Sequence, residues 1–303
     1  MTKNDITRGL IDFAVSQCLK NIKEDPYRSI RRLADLGRQF AKGRFQEELF
    51  SLFQRLLLNE DGPYYEMLKQ LVSSVDTDSL KTLGINIGYN SWTCGASRLR
   101  QITAEKDYPH WLAEISLFPG SSASQLKEQL SAALKNGTYA FRLHLPAQSI
   151  TTDTRQLGLI REFPDCSFFL DFMDTDCTYS DDLLELTCSC DNLAFLVPFG
   201  SLQSRQLVDL LNARQRIYGV CRTYDNTNAA ERISDSQLSE MLSWGSPLLF
   251  FLAAADTTQD NRLLVDNAIL DARLHQTYPA LLIHLDADVA RIQQLLLSSR
   301  KNL

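Results

Sequence analysis

Seven short apolar runs at near-regular intervals limit what this chain can fold into more than any other feature. They begin at Trp111, Tyr139, Cys166, Leu193, Ile217, Pro247 and Ala280, and read WLAEISLF, YAFRLHL, CSFFLDF, LAFLVPF, IYGVCRTY, PLLFFLA and ALLIHLD. Successive starts lie between 24 residues (Leu193 to Ile217) and 33 residues (Pro247 to Ala280) apart, the length of a strand plus a return helix. The intervals carry helical stripes, among them Leu126/Leu130/Leu134 and Leu238/Met241/Leu242. Ser122-x-x-Gln125 and Ser234-x-x-Gln237 have the form of capping boxes, in which hydroxyl and amide each satisfy a free backbone N–H of the first turn. Gly137 and Gly245 stand where helices should stop before the next strand. The expected fold class is α/β: a partial or complete (β/α) barrel, with an open doubly wound sheet as the other arrangement the pattern allows.

Upstream the periodicity is helical. Residues 4–73 carry stripes such as Leu10, Ile11, Ala14, Cys18 and Ile22, then Phe45, Leu49, Phe53 and Leu56, with Asp25-Pro26 as a break that also starts the next helix. Leu83–Gln101 (LGINIGYNSWTCGASRLRQ) is rich in Gly, Asn and Ser without a sustained period. It reads as a linker, with Tyr89 and Trp92 as packing anchors. The expected organisation is an α-helical region over residues 1–80, a wrapping linker over 81–110 and a barrel over 111–303.

The formal charge of −6 and pI near 5.3 disfavour non-specific nucleic-acid or anionic-membrane binding, which clustered Lys and Arg drive. The locally basic run Arg28–Arg44 alternates with Ile30, Leu33, Leu36 and Phe40 and reads as a solvated helix face. No apolar run approaches the roughly 20 residues that span a bilayer, and MTKNDITRG lacks a signal pattern. Seven cysteines in irregular spacing suit reduced thiols. The expected location is cytoplasmic, with no membrane and no nucleic-acid partner. Cys188-Ser-Cys190 is too close for a zinc knuckle, so no metal is expected there.

Several strands alternate where a doubly covered parallel strand would be apolar throughout. Arg142 and His144 share one face of the second run, Glu114 and Ser116 one face of the first, and Asp171 stands out in the third. Arg222 and Tyr224 in the fifth, with His284, Asp286 and Asp288 in the seventh, complete the set. If helices cover the apolar face, all of these line the barrel interior. Two readings then compete: a plug of mutually satisfied ion pairs, since a buried unpaired charge is costly, or a ligand pocket at the C-terminal strand ends. In the second, Arg142 or Arg222 grips a carboxylate or phosphate and His144 or His284 moves protons, with His144, Tyr224, Asp286 and Asp288 outermost. The cluster Asp171, Asp174, Asp176 suits either a divalent cation or a helix-capping loop. No G-x-S-x-G, Walker A or G-x-G-x-x-G pattern is present, which disfavours triad hydrolases, P-loop NTPases and typical Rossmann dehydrogenases.

The chain also resembles the radical S-adenosylmethionine (SAM) proteins that carry a helical region before the barrel. Ala14–Gly43 looks like that preamble, YPHWLAEISLF like the first strand, and Leu159–Met173, Leu210–Phe251 and Asp260–Arg273 like later segments. The resemblance implies a radical SAM-type barrel. It also locates the departures. Where the family carries C-x-x-x-C-x-x-C after the first strand, this chain reads FPGSSASQ (Phe118–Gln125), and LPAQ (Leu145–Gln148) replaces the Gly-Gly-Glu-Pro segment that meets the SAM amine. Thiolates hold such clusters, so the expectation is no iron-sulfur cofactor and weak or absent SAM binding. The function expected is that of a non-catalytic accessory or regulatory protein, whose partner is a competent radical SAM relative or that relative's substrate. The alternative is a cluster-independent enzyme or small-molecule binder using the mixed-charge strand ends.

Overall fold

All seven runs form strands: β1 Leu112–Ser116, β2 Ala140–Leu145, β3 Ser167–Phe172, β4 Leu193–Pro198, β5 Tyr218–Tyr224, β6 Leu248–Ala253 and β7 Leu281–His284. The structure is a computed structural model and describes residues 3–20, 22–41, 44–102, 109–117, 122–145, 154–172 and 181–298. The strands make one parallel sheet whose spatial order is the chain order, β1 to β7. With the strands in chain order, the return helices stand on one face and the sheet curls towards a barrel, as the right-handed rule for parallel crossovers requires. A doubly wound sheet would instead reverse its order midway. The fold is thus an α/β half-barrel, with β1 and β7 as unpaired edges.

The return helices are α7 Ala123–Lys135, α8 Thr154–Gly158, α9 Asp181–Cys188, α10 Leu202–Ala213, the short α11 Ala229–Arg232, α12 Asp235–Leu242 and α13 Gln259–His275. Their buried faces, including Leu126, Leu130, Leu184, Leu207, Leu211, Met241, Val265 and Ile269, pack on Phe141, Leu143, Phe168, Leu170, Phe195, Val197, Val220 and Phe251 of the convex sheet face. The Ser122–Gln125 capping box forms in full. The one expected at Ser234 does not, because its hydroxyl donates backwards to the Glu231 carbonyl at 2.7 Å. Gly137 (φ 99°) and Gly245 (φ 74°) turn out of α7 and α12 in the left-handed region, where glycine alone is unstrained.

The concave face is closed by the last helix, α14 Leu285–Ser298. β7 runs into it without a loop. Leu285 and Val289 pack with Leu196, Cys221 and Phe250, while Ile292 and Leu296 reach Leu112 and Ala140. Phe169 of β3 touches both groups. Trp111 Nε1 donates to the Val289 carbonyl at 3.0 Å, the Trp111 N–H to Gln293 Oε1 at 2.9 Å and Arg100 to the Leu296 carbonyl at 2.8 Å. The helix therefore leaves the β7 edge, crosses the hollow of the sheet and is fastened beside β1.

The helical N-terminal region comprises α1 Lys3–Leu19, α2 Pro26–Phe40, α3 Arg44–Leu56, α4 Pro63–Ser74, α5 Thr77–Ile85 and α6 Ala96–Ile102, with a π-helix over Asn86–Gly95 between the last two. Its docking is at the N-terminal ends of the strands. The Asp76 N–H donates to the Gln215 carbonyl (2.8 Å), Gln70 to that of Gly245 (2.9 Å), and Val75 and Leu83 pack on Ala194 and Ile217. Residues 83–101, read as a structured linker without a sustained period, are helical throughout. Tertiary contacts override propensity there. Asn86 donates to the carbonyls of Pro164 and Cys166, and Asn90 to that of Asp165. A Cβ on Gly95 would stand 2.3 Å from the Gly137 carbonyl oxygen, so only glycine allows that approach. Trp92 packs edge-on between Phe45 and Trp111, and Tyr89 is buried. Among the described residues no helix is long and apolar enough to cross a membrane.

Candidate functional site

The register of β1, β2 and β3 brings four charged groups together on the concave face. Glu114 stands opposite Arg142, and His144 opposite both Ser116 and Asp171. Arg142 is the hub. It donates through Nε (2.9 Å) and Nη2 (2.6 Å) to Asp171 Oδ2, and through Nη1 to Glu114 Oε1 at 3.0 Å. His144 Nε2 lies 3.3 Å from Glu114 Oε2. Its Nδ1 is also 3.3 Å from Asp171 Oδ2 but off the line of a good hydrogen bond. Side chains of Arg142, His144 and Asp171 are at most 9% exposed, whereas that of Glu114 is 53% exposed.

The electrostatics follow from this pairing. The His144 hydrogen bond, opposed by burial and reinforced by the Arg142 charge, pulls the Glu114 carboxyl down to about 2. Burial works against a charged His144, but its contacts with Asp171 and Glu114 prevail and raise its value above the ordinary 6.5. Burial likewise opposes a charged Arg142 and is outweighed by Asp171 and Glu114. With His144 protonated, two positive and two negative groups balance.

The remaining expected site residues are elsewhere. Arg222 and Tyr224 stand opposite Phe251 and Ala253, and His284 also stands opposite Phe251; Phe251 belongs to the convex, helix-covered core. All three therefore face the helices and not the barrel hollow. The Tyr224 hydroxyl meets His284 Nε2 at 2.7 Å, and His284 Nδ1 lies 3.3 Å from Asp266 Oδ1 of α13. Burial, opposed by the Arg262 charge and helped by Asp286 and Asp266, pushes the Tyr224 phenol up to about 12. Asp286 and Asp288 are not on the strand, which ends at His284; they form the first turn of α14. Asp288 accepts from the His284 N–H (3.0 Å), Arg273 and Arg291, Arg291 also pairs with Asp266, and Asp286 faces Arg262 at 3.4 Å. Arg222 lies over the Phe199 ring, 4.9 Å from its centroid, and its Nη1 is buried without a partner among the described residues. Burial and then the nearby Arg232 charge lower its proton affinity.

Asp174 and Asp176 of the acidic cluster lie outside the described residues, as do 118–121 and 146–148 of the two segments where the family pattern departs. Among the described residues no group of three or more His, Cys, Asp or Glu could hold a metal. Glu114, not expected among the outermost residues, is the most open of the quartet. Asp266 was missed, although an aspartate beside Val265 and Ile269 in an otherwise apolar stripe was a visible signal.

No family model matches the chain, and no curated protein matches it. Among solved structures it is similar to SuiB of Streptococcus suis bound to S-adenosylmethionine, at 8% identity over 56% of this chain and 46% of that one, with a TM-score of 0.43. A second SuiB structure aligns at 7% identity over 80% of this chain and 55% of that one, with a TM-score of 0.45. The chain thus spans about half the length of SuiB, and at this level of overlap neither activity nor ligand passes from one to the other.

Proposed function

We propose that this chain is a non-catalytic, radical SAM-like protein that keeps the half-barrel as a scaffold and acts as an accessory or regulatory partner of a competent enzyme or of its substrate. What supports this most is the mutual pairing of Glu114, Arg142, His144 and Asp171. Arg142, the group best suited to grip an anionic ligand, spends three donors on Asp171 and Glu114. The hollow beneath is packed by Leu196, Cys221, Phe250 and the α14 residues Leu285 and Val289. The donor chemistry points the same way: FPGSSASQ supplies no thiolate after β1, and Cys166, Cys188, Cys190 and Cys221 are buried in apolar surroundings. These residues do not fit a cluster held by cysteine.

Affinity purification of the tagged chain from its native cell, with cross-linking, tests this. A stoichiometric protein partner is expected; repeated recovery of the chain alone would sink the reading. A cluster-independent small-molecule binder is favoured by one feature, the half-exposed Glu114 carboxylate beside a His144 of raised proton affinity, which together make an acid–base pair at the strand ends.

A further inference from the structure

We infer that the N-terminal helices hold a binding site for a small, neutral hydrocarbon chain. A cavity of 260 Å³ lies between α1, α2, α3, α5 and the π-helix, walled by Ile11, Val15, Leu19, Leu33, Leu36 and Phe40. The pocket is half open to solvent; an enclosed apolar void of roughly 150 Å³ already admits benzene, so a space of this size accommodates a larger apolar guest whose end reaches the mouth. Without a guest its apolar walls stay exposed to water, and a hydrocarbon chain would bury that surface.

The chain keeps this space open with glycine. Gly84 and Gly88, one helical turn apart, both line the cavity, and no atom lies within 4 Å of the place where a Cβ would stand on either. Larger side chains would fit there and would favour the helix. Gly37 differs: a Cβ there would meet the Phe50 ring at 2.0 Å, so that wall is fixed by packing. Gly88 belongs to the π-helix, and such segments are frequent at functional sites.

The polar groups on the wall decide the ligand's charge. Gln46 Nε2 donates to the Gly88 carbonyl (3.2 Å) and Thr93 Oγ1 (2.5 Å), and Lys81 lies 3.7 Å from both Asp12 and Asp78. Each has its partners within the protein. An ionised head group would have to displace one of these partners, which favours a neutral guest.

The test uses N-phenyl-1-naphthylamine, a neutral dye that brightens in apolar surroundings, displaced by 1-decanol. Saturable one-to-one binding and displacement are expected. Gly84→Leu and Gly88→Leu should each weaken dye binding at least tenfold without lowering the melting temperature. Gly9→Leu, an exposed α1 position outside the cavity with free space around it, should leave binding unchanged. Binding by the wild type that does not saturate or is not displaced by decanol, or undiminished binding in the folded filled variants, overturns the proposal. Should both filled variants fail to fold, the wild-type displacement decides alone.

Discussion

Two buried polar networks sit on opposite faces of the same sheet, and they were indistinguishable in the alternation of the strands. On the concave face, Glu114, Arg142, His144 and Asp171 come from three neighbouring strands and pair with one another, with no helix involved among the described residues. On the convex face, Tyr224 and His284 are completed by Asp266 of α13 and by Asp288 and Arg291 of α14. The first network ties β1, β2 and β3 together at their ends, beside the hollow that α14 fills. The second fastens two helices to its last strands. Alternation within a strand says which residues share a face, whereas only the register between strands says which face that is.

The contrast is broken most strongly at Arg142. Arg142→Met keeps the stem but strands Asp171, 4% exposed, and should cost about 3–5 kcal/mol in urea unfolding. Adding Asp171→Leu should restore much of that loss, because an apolar pair of similar volume is often neutral. A loss under about 1 kcal/mol for the single variant would mean that water reaches the pair.

The convex network should be the weaker one. Tyr224→Phe removes one neutral hydrogen bond and leaves His284 Nε2 without its partner, costing about 1–3 kcal/mol. Arg222→Met should change stability by less than about 1 kcal/mol, since losing the contact with Phe199 is offset by removing an unpartnered N–H. A larger loss would show that Arg222 has a partner in solution.

Proton binding acts on the acidic and basic partners of the concave quartet in opposite senses. His144 has a folded value above 6.5, so its stabilisation is fully present below pH 6.5 and is lost as pH rises through that folded value. Glu114 works in the opposite sense: its contribution is present above 4.5 and is lost as pH falls towards about 2. The imidazole proton resonances of His144 should titrate above pH 6.5, and Glu114→Gln should lower that midpoint. An unchanged midpoint would remove Glu114 from the quartet's electrostatics.

The strands, the α7 capping box and the turns at Gly137 and Gly245 were legible because local chemistry decides them. So was the pairing potential of Arg142 with its neighbours, since an arginine alternating with leucines needs a counter-charge nearby. The faces of Arg222, Tyr224 and His284 were not, because they depend on which helices bring Asp266 and Arg291 to the sheet. The helical state of 83–101 was hidden for a similar reason: glycines and asparagines of low helix propensity are held by carbonyls of Pro164–Cys166. The path of α14 across the hollow was also invisible, since its stripe of Leu285, Val289, Ile292 and Leu296 suits an outer helix equally well.

If Glu114, Arg142, His144 and Asp171 are committed to one another and the hollow is filled by α14, calorimetric titration of the purified, metal-free chain with SAM shows it most directly. No saturable heat at millimolar ligand is the predicted result. Micromolar binding that disappears in Arg142→Met or Glu114→Gln, with both variants folded, would show the quartet to be a working ligand site and would contradict it.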